Sequence, residues 1–423
     1  MRNGTTNTPD TAAAPGLFGW WRAGTPEGKR ALVAASLGWM LDSFDVMLYA
    51  LVLVALMRDL SMDAPTAGLL GSITLLASAA GGLMFGVIAD RFGRTRALMG
   101  SIIIYSVFTA ACGLSQTVWQ LAVFRVLLGL GMGGEWASGA ALVSETWPTQ
   151  HRGKALGFMQ SSWAIGYAAA AIVNAIVMPY WGWRGVFFVG VLPALLTIWI
   201  RRKVKEPDIW LEQQKVPRPA GLGLGRIFAP GMRKVTIAVT LMNASTMFAW
   251  WGFNLWLPGY LAMPIEDGGI GLSTTMMSGF VVAMQVGMWF GYVTFGYVSD
   301  MIGRRRAYVT YLLTASVLML VYVSITQPIA LLLLGPFVAF FGTGYFTGFG
   351  AVSAELYPTA IRATAQGLTY NVGRVASAAA PFVVGTLAQT RGFSAALSVC
   401  SVAFLVAAVF WIWIPETGGR DLT

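Results

Sequence analysis

Two carboxylates, Asp42 and Asp45, stand inside an apolar run from 31 to 57. A carboxylate at the centre of a bilayer costs about 2.5 to 3.5 kcal/mol on insertion scales, so a pair held there has work to do, such as taking up and releasing protons. Three residues apart, they share one face of a helix, and Tyr49, four residues beyond Asp45, extends that face. Other polar residues interrupt apolar runs in the same way. Arg125 presents a planar fork of donors suited to a carboxylate. Glu135 follows on the same run, and Arg374, with Tyr370 and Asn371 one turn before it, is a second candidate anion ligand. The amides of Gln160, Gln285 and Asn254 can hydrogen-bond a small polar molecule or seal a helix contact. Asn254 sits in a tryptophan-rich stretch that Pro258 interrupts, the makings of a gate with aromatic walls.

Depth sorts these groups. At 1.5 Å per residue, Asp42 and Asp45 lie about 17 and about 21 Å from the start of their run. Counting from Val118 puts Arg125 near the level of Asp45, where the two would form an ion pair. Counting from Glu145 instead raises Arg125 and brings Glu135 close to the midplane. The expected device is a switch in which ionised Asp45 holds Arg125 and protonated Asp45 frees it for an anion. Its alternative is a permanent structural pair.

The elements that position these residues follow from composition. In 423 residues, 56% are hydrophobic and 11% charged, and the mean hydropathy is +0.66. The chain is therefore an all-α, multi-span membrane protein. Apolar runs of spanning length fall at about 31–57, 66–89, 97–115, 118–141, 155–178 and 184–202, then at about 235–262, 273–299, 307–326, 328–351, 364–388 and 392–414. That makes twelve helices in two halves, 31–202 and 235–414, with a tail at 1–30, a polar linker at 203–234 and a tail at 415–423. With both termini inside, only Arg58, Arg184 and Arg391 face outward and Arg125 and Arg374 fall within spans, which leaves 23 of the 28 basic residues on the cytoplasmic side. The net charge of +10 is thus spent on topology, not on nucleic acid.

The halves repeat at an offset of 210 residues. Gly86, Asp90, Gly93, Arg94 and Arg96 return as Gly296, Asp300, Gly303, Arg304 and Arg306, and Glu145, Pro148, Arg152 and Gly157 return as Glu355, Pro358, Arg362 and Gly367. Gly182 and Glu206 find Gly392 and Glu416 at the same offset. Two parallel repeats with a site near the midplane between them is a transporter architecture. The charged residues of these loops are expected to gate it, as contacts that latch one end shut and break when it opens.

Those loops carry a resemblance. Gly-x-x-x-Asp-Arg-x-Gly-Arg-x-Arg at 86–96 and Glu-x-x-Pro-x-x-x-Arg-x-x-x-x-Gly at 145–157 resemble the signatures of the major facilitator superfamily, and the likeness covers nearly the whole chain. Asp42-Ser43-Phe44-Asp45 is similar to the paired-aspartate signature of its aromatic-acid and metabolite proton symporters. The stretch from Arg125 to Trp136 resembles helix four of the same organic-acid group. The run from Gly157 lacks the Gly-Pro signature of the proton antiporters.

The resemblance implies proton-coupled symport of a small organic anion: an aromatic acid, a monocarboxylate, a sialic acid or a sugar acid. Asp42, Asp45 and Glu135 would carry the proton and the arginines the anion. Carrying one proton with one monoanion avoids about 2.3 kcal/mol per 100 mV of opposing potential. A functional monomer in a bacterial cytoplasmic membrane, driven by the proton gradient without a cofactor, is expected. Export of organic cations is the alternative, which Arg125 and Arg374 oppose; a transporter-like nutrient sensor is a remoter one. Neither a phosphate-cradling loop nor a metal-spaced His and Cys set is present, so the reading is not an enzyme.

Overall fold

The computed structural model describes residues 19–148, 151–206 and 227–418. Most of the 203–234 linker, the 1–30 tail before residue 19 and the last residues of the 415–423 tail lie outside the described residues, as do the side chains of Asp90 and Arg362. Among the described residues twelve long helical segments follow one another: α1 Pro26–Asp59, α2 Ala64–Phe92, α3 Arg94–Cys112, α4 Val118–Thr146, α5 152–181, α6 183–203, α7 Arg233–Ala262, α8 Thr274–Ile302, α9 Arg304–Ser324, α10 328–356, α11 359–391 and α12 Phe393–Phe410. Their ends follow local rules. Thr25, Asp63, Thr117 and Ser273 accept first-turn amides at 2.9 to 3.3 Å. Gly182 and Gly392, at φ 63° and 82°, reverse the chain between α5 and α6 and between α11 and α12 with no loop at all. Gly344–Gly348 forms a tight turn of 3₁₀ helix that breaks α10.

The sequence repeat is a structural one. Helix α2 crosses α4 at Gly81, where an added β-carbon would overlap Leu130 O, and α8 crosses α10 at Gly291, where it would meet Phe340 O, each residue 210 positions on. Small residues at such crossings let two backbones approach, which is how helices associate in lipid. At one end of each half an arginine opening the third helix of its repeat pairs with a glutamate: Arg94 Nη2 with Glu145 Oε1 at 2.8 Å, and Arg304 Nη2 with Glu355 Oε1 at 3.0 Å. Glu206 caps α3 by accepting from Thr95 N and Arg96 N, and Glu416 caps α9 from Arg304 N and Arg305 N.

The two halves meet along α5–α8, α2–α11 and α1–α7. Along α2 the gap to α11 widens steadily. A β-carbon at Gly68 would collide with Pro381 O, one at Gly82 would lie 3.9 Å from Arg374 Nη1, and one at Gly86 meets nothing within 4 Å. Gly296 and Gly367, at the same depth as Gly86 in the other half, are equally unopposed. Every residue of α1 from 42 to 53 and of α7 from 249 to 261 is buried, whereas the earlier halves of both helices are partly exposed. The bundle is therefore sealed at one end and parted at the end that carries the arginine–glutamate pairs, hereafter the basic end. Near that end α5 still reaches α10, since a β-carbon at Gly157 would lie 3.0 Å from Thr347.

Packing predicts two outcomes. Gly166→Ala drives a methyl into Met40 O at the α1–α5 crossing and should lower the thermal midpoint in detergent by 5 °C or more, on the order of 1 to 3 kcal/mol, while Gly296→Ala leaves it unchanged. Burial pushes the Glu416 carboxyl up, but the amides of Gly418, Arg304, Arg305 and Thr417 outweigh it and hold it below its usual range. A depressed acid stabilises above its unfolded value of 4.5 and loses that contribution as pH falls. The midpoint of Glu416→Gln should thus lie below wild type at pH 7, the gap closing only as pH falls below 4.5.

Candidate functional site

Helix α1 delivers Asp42 and Asp45 to the centre of the first half, each 1% exposed. Helix α4 brings Glu135 (0%) and Arg125 (1%), and α11 brings Arg374 (7%) from the other half. The two acids of α1 share a face as their spacing requires, and both Glu135 and Arg374 lie within electrostatic reach of Asp42. Gly38, one turn before Asp42, makes the room: its missing β-carbon leaves space for Glu135 Oε1. Both oxygens of Asp45, both of Glu135 and Oδ2 of Asp42 have no hydrogen-bond donor. Thr109 faces Asp45, but its hydroxyl donates to Tyr105 O at 2.8 Å.

The expected ion pair between Arg125 and Asp45 is absent. The guanidinium carbon instead lies over the Tyr49 ring, 3.8 Å from its centroid, and its Nε donates to Thr74 Oγ1 at 2.9 Å. The ring is held in turn, Tyr49 Oη donating to Ala67 O at 2.8 Å. A planar cation set over an aromatic face and bonded to a hydroxyl needs no carboxylate. Nη1 of Arg125 is left buried and unpaired. Buried Cys112 lies within reach of both Arg125 and Asp45.

Arg374 reaches across the seam between halves and donates to Ser78 Oγ on α2. Tyr370 lies 6.0 Å from its guanidinium, and Asn371 turns its Nδ2 to Gly367 O at 2.9 Å. Thr74 and Ser78 are the residues that sequence reasoning passed over. They stand one turn apart on an apolar helix, and that pairing of hydroxyls was the available signal. They are exposed to α4 because Gly129 and Gly133 pack directly on their carbonyls.

The amides are dispersed. Gln160 is half-buried beside Tyr292. Asn254 donates to Trp250 O at 3.1 Å, and its carbonyl accepts Tyr167 Oη at 3.3 Å, stitching the halves at the sealed end. Gln285 is buried with an unpaired Oε1. With Asn254 it borders a cavity of about 10 Å³ inside the second half, room for one water and not for an organic anion.

The arginine–glutamate contacts of these loops lie within each half. Arg94–Glu145 and Arg304–Glu355 each join helices of one half, and both are intact while that same end stands open. Arg304 also reaches Asp300 and Ser299. These contacts brace each half as a unit. Arg96 and Arg306 are exposed, and Arg152 is half-buried at the start of α5.

Two pseudo-equivalent six-helix units, parted at one end over a buried set of acids and arginines contributed by both, define a membrane transporter of the two-bundle class. The profile of the Major Facilitator Superfamily matches residues 35–294 and 260–422, and the chain belongs to that superfamily. It is 32% identical over 393 residues to the sialic acid transporter NanX of Escherichia coli, covering 91% of this chain and 93% of that one. It is 30% identical over 399 residues to the cis,cis-muconate transport protein of Acinetobacter baylyi, covering 92% and 94%. Among solved structures, the partially occluded inward-open xylose transporter XylE of E. coli superposes with a TM-score of 0.77 at 20% identity, covering 94% of this chain and all of that one.

The contact at Gly38 gives a test of the site's geometry. Gly38→Ala should displace the Glu135 carboxylate and lower the thermal midpoint, and Glu135→Ala in that background should restore it. A coupling energy of about 1 kcal/mol or more is expected from the double-mutant cycle, where independent sites would add.

Proposed function

We propose that the protein imports a small organic anion together with protons across a bacterial cytoplasmic membrane, by alternating access and as a monomer. The observation that carries this reading is the pair of buried arginines, one from each half, neither of them in a salt bridge with a carboxylate and Arg125 with no carboxylate beside it. A buried cation without a counter-charge is costly, and an anionic substrate supplies one. The sialic acid and cis,cis-muconate relatives carry organic acids by name, which favours the same class. The basic residues favour termini inside, so the open end faces the cytoplasm.

Three buried carboxylates with unpaired oxygens, of which Asp42 lies within reach of Arg374, supply the proton side. Ionised, they compete with the substrate for the same positive charge; protonated, they leave it to the substrate. The coupling runs through shared electrostatics rather than through one exchanged ion pair, because Arg125 and Asp45 are not bonded. Asp42 and Arg374 face each other across the seam and are the pair that closure would bring together. No cofactor is required, the proton gradient being the energy source. The arginines disfavour export of cations, which they would repel.

Proteoliposomes loaded with a pH dye test this directly. A carboxylate added outside should acidify the lumen, with the rate cut at least about tenfold in Asp45→Asn and in Arg125→Ala vesicles. Those variants also control for weak acids that cross bare lipid. A response confined to organic cations, with protons moving the other way and Arg125→Ala still active, would overturn the reading.

A further inference from the structure

The second half carries a surface groove at the basic end that takes no part in the transport site. It has a volume of about 1310 Å³ and runs between the start of α9 and the end of α12. Its two ends differ in kind. Arg304, Arg305 and Arg306 stand at the mouth, and Val309, Leu313, Leu405 and Val409 line the wall beyond them. From Arg306 to Leu313 the groove follows α9 for about 10 Å. Leu313, Leu405 and Val409 are 40%, 46% and 44% exposed on membrane-spanning helices, so this wall meets hydrocarbon rather than water. Trp411, buried against Tyr308 with ring centroids 4.6 Å apart, backs the groove and keeps it from collapsing.

The charge at the mouth is unbalanced. Arg304 is engaged inside the half, by Glu355, Asp300 and Ser299. Glu416, the other acid of the lining, is occupied by the amides of Arg304, Arg305, Thr417 and Gly418. Arg305 and Arg306 are exposed, and among the described residues neither forms an ion pair. The first half lacks this feature. At the offset of 210, Thr95 stands in the place of Arg305 and Arg202 in that of Ile412, and Thr95 is buried with its hydroxyl donating to Lys205 O at 3.4 Å. A residue that served only the common frame would recur in both halves, and Arg305 does not.

A cationic mouth that opens onto an apolar, lipid-facing wall has the polarity of an amphiphile. We propose that the groove binds one anionic phospholipid of the leaflet at the basic end, its phosphate held by Arg305 and Arg306 and an acyl chain lying along α9 and α12. Guanidinium forks match phosphate oxygens, and basic pockets between spans attract anionic head groups. A soluble phosphate ester would occupy the mouth and leave the wall bare. A zwitterionic lipid would cover the wall but bring its own cation to two arginines.

The test is native mass spectrometry of the purified full-length protein in detergent, titrated with dioleoyl phosphatidylglycerol, dioleoyl phosphatidylcholine or glycerol 3-phosphate. Phosphatidylglycerol should form a single adduct at a concentration about tenfold or more below either of the others, and should raise the thermal midpoint as a ligand of the folded state does. Replacing both arginines, Arg305→Gln with Arg306→Gln, should weaken that adduct about tenfold. Val409→Trp, which fills the wall and spares the arginines, should weaken it as well and decides the matter if the double variant does not fold. Arg96→Gln, at the position of Arg306 in the first half, should bind as wild type. Phosphatidylcholine binding as tightly as phosphatidylglycerol overturns the proposal, and so does glycerol 3-phosphate matching the lipid. An equal loss in Arg96→Gln overturns it too, since the attraction would then belong to the whole basic face.

Discussion

Charge taken from water into an apolar bundle must be neutralised, solvated by the protein or used, and this structure leaves it mostly unpaired. Five ionisable side chains meet near the middle of the chain's two halves, and no two of them form an ion pair. Such an arrangement is a poor way to hold a fold together, since a buried pair already gains little over apolar packing and an unpaired charge costs more. Everything around it is organised to tolerate that cost. Glycines at 38, 129 and 133 bring backbones close enough to shape the pocket, Tyr49 offers Arg125 a π face, and hydroxyls of α2 take one bond from each arginine.

The frame and the chemistry obey different symmetries. Braces, caps, crossings and chain reversals all recur 210 residues on, yet the acids do not: the counterparts of Asp42, Asp45 and Glu135 are Gly252, Leu255 and Tyr345, and that of Arg125 is Gly335. Duplication explains why the two halves share one frame. Divergence puts the buried acids in one of them, with Arg374 as the other's contribution to the shared seam.

Much of this was legible in the sequence because its signals are local or periodic. Apolar length gives the spans, the 210-residue echo gives the halves, and a carboxylate in an apolar run is conspicuous wherever it falls. What failed was azimuth and reach. Residue counting placed Arg125 level with Asp45 but could not show that its guanidinium turns toward Tyr49 and Thr74 instead. The arginines of the loops were legible as partners for acids, but whether a partner belongs to the same half or the opposite one is decided by tertiary packing. Hydropathy alone is also incomplete. Among the described residues nine helical stretches pass as spans by length and composition, one of them fusing α5 and α6 across Gly182, while α7 and α11 do not pass.

The turns at Gly182 and Gly392 have a practical side. A reversal made by a single left-handed glycine presents almost no backbone beyond the helices, and the α1–α2 and α9–α10 connections at that end are nearly as short. The face turned away from the basic end is therefore almost bare of loops. Proteases, antibodies and inserted epitopes find little purchase there except at residues 263–273, between α7 and α8, which makes that segment the natural place for a reporter.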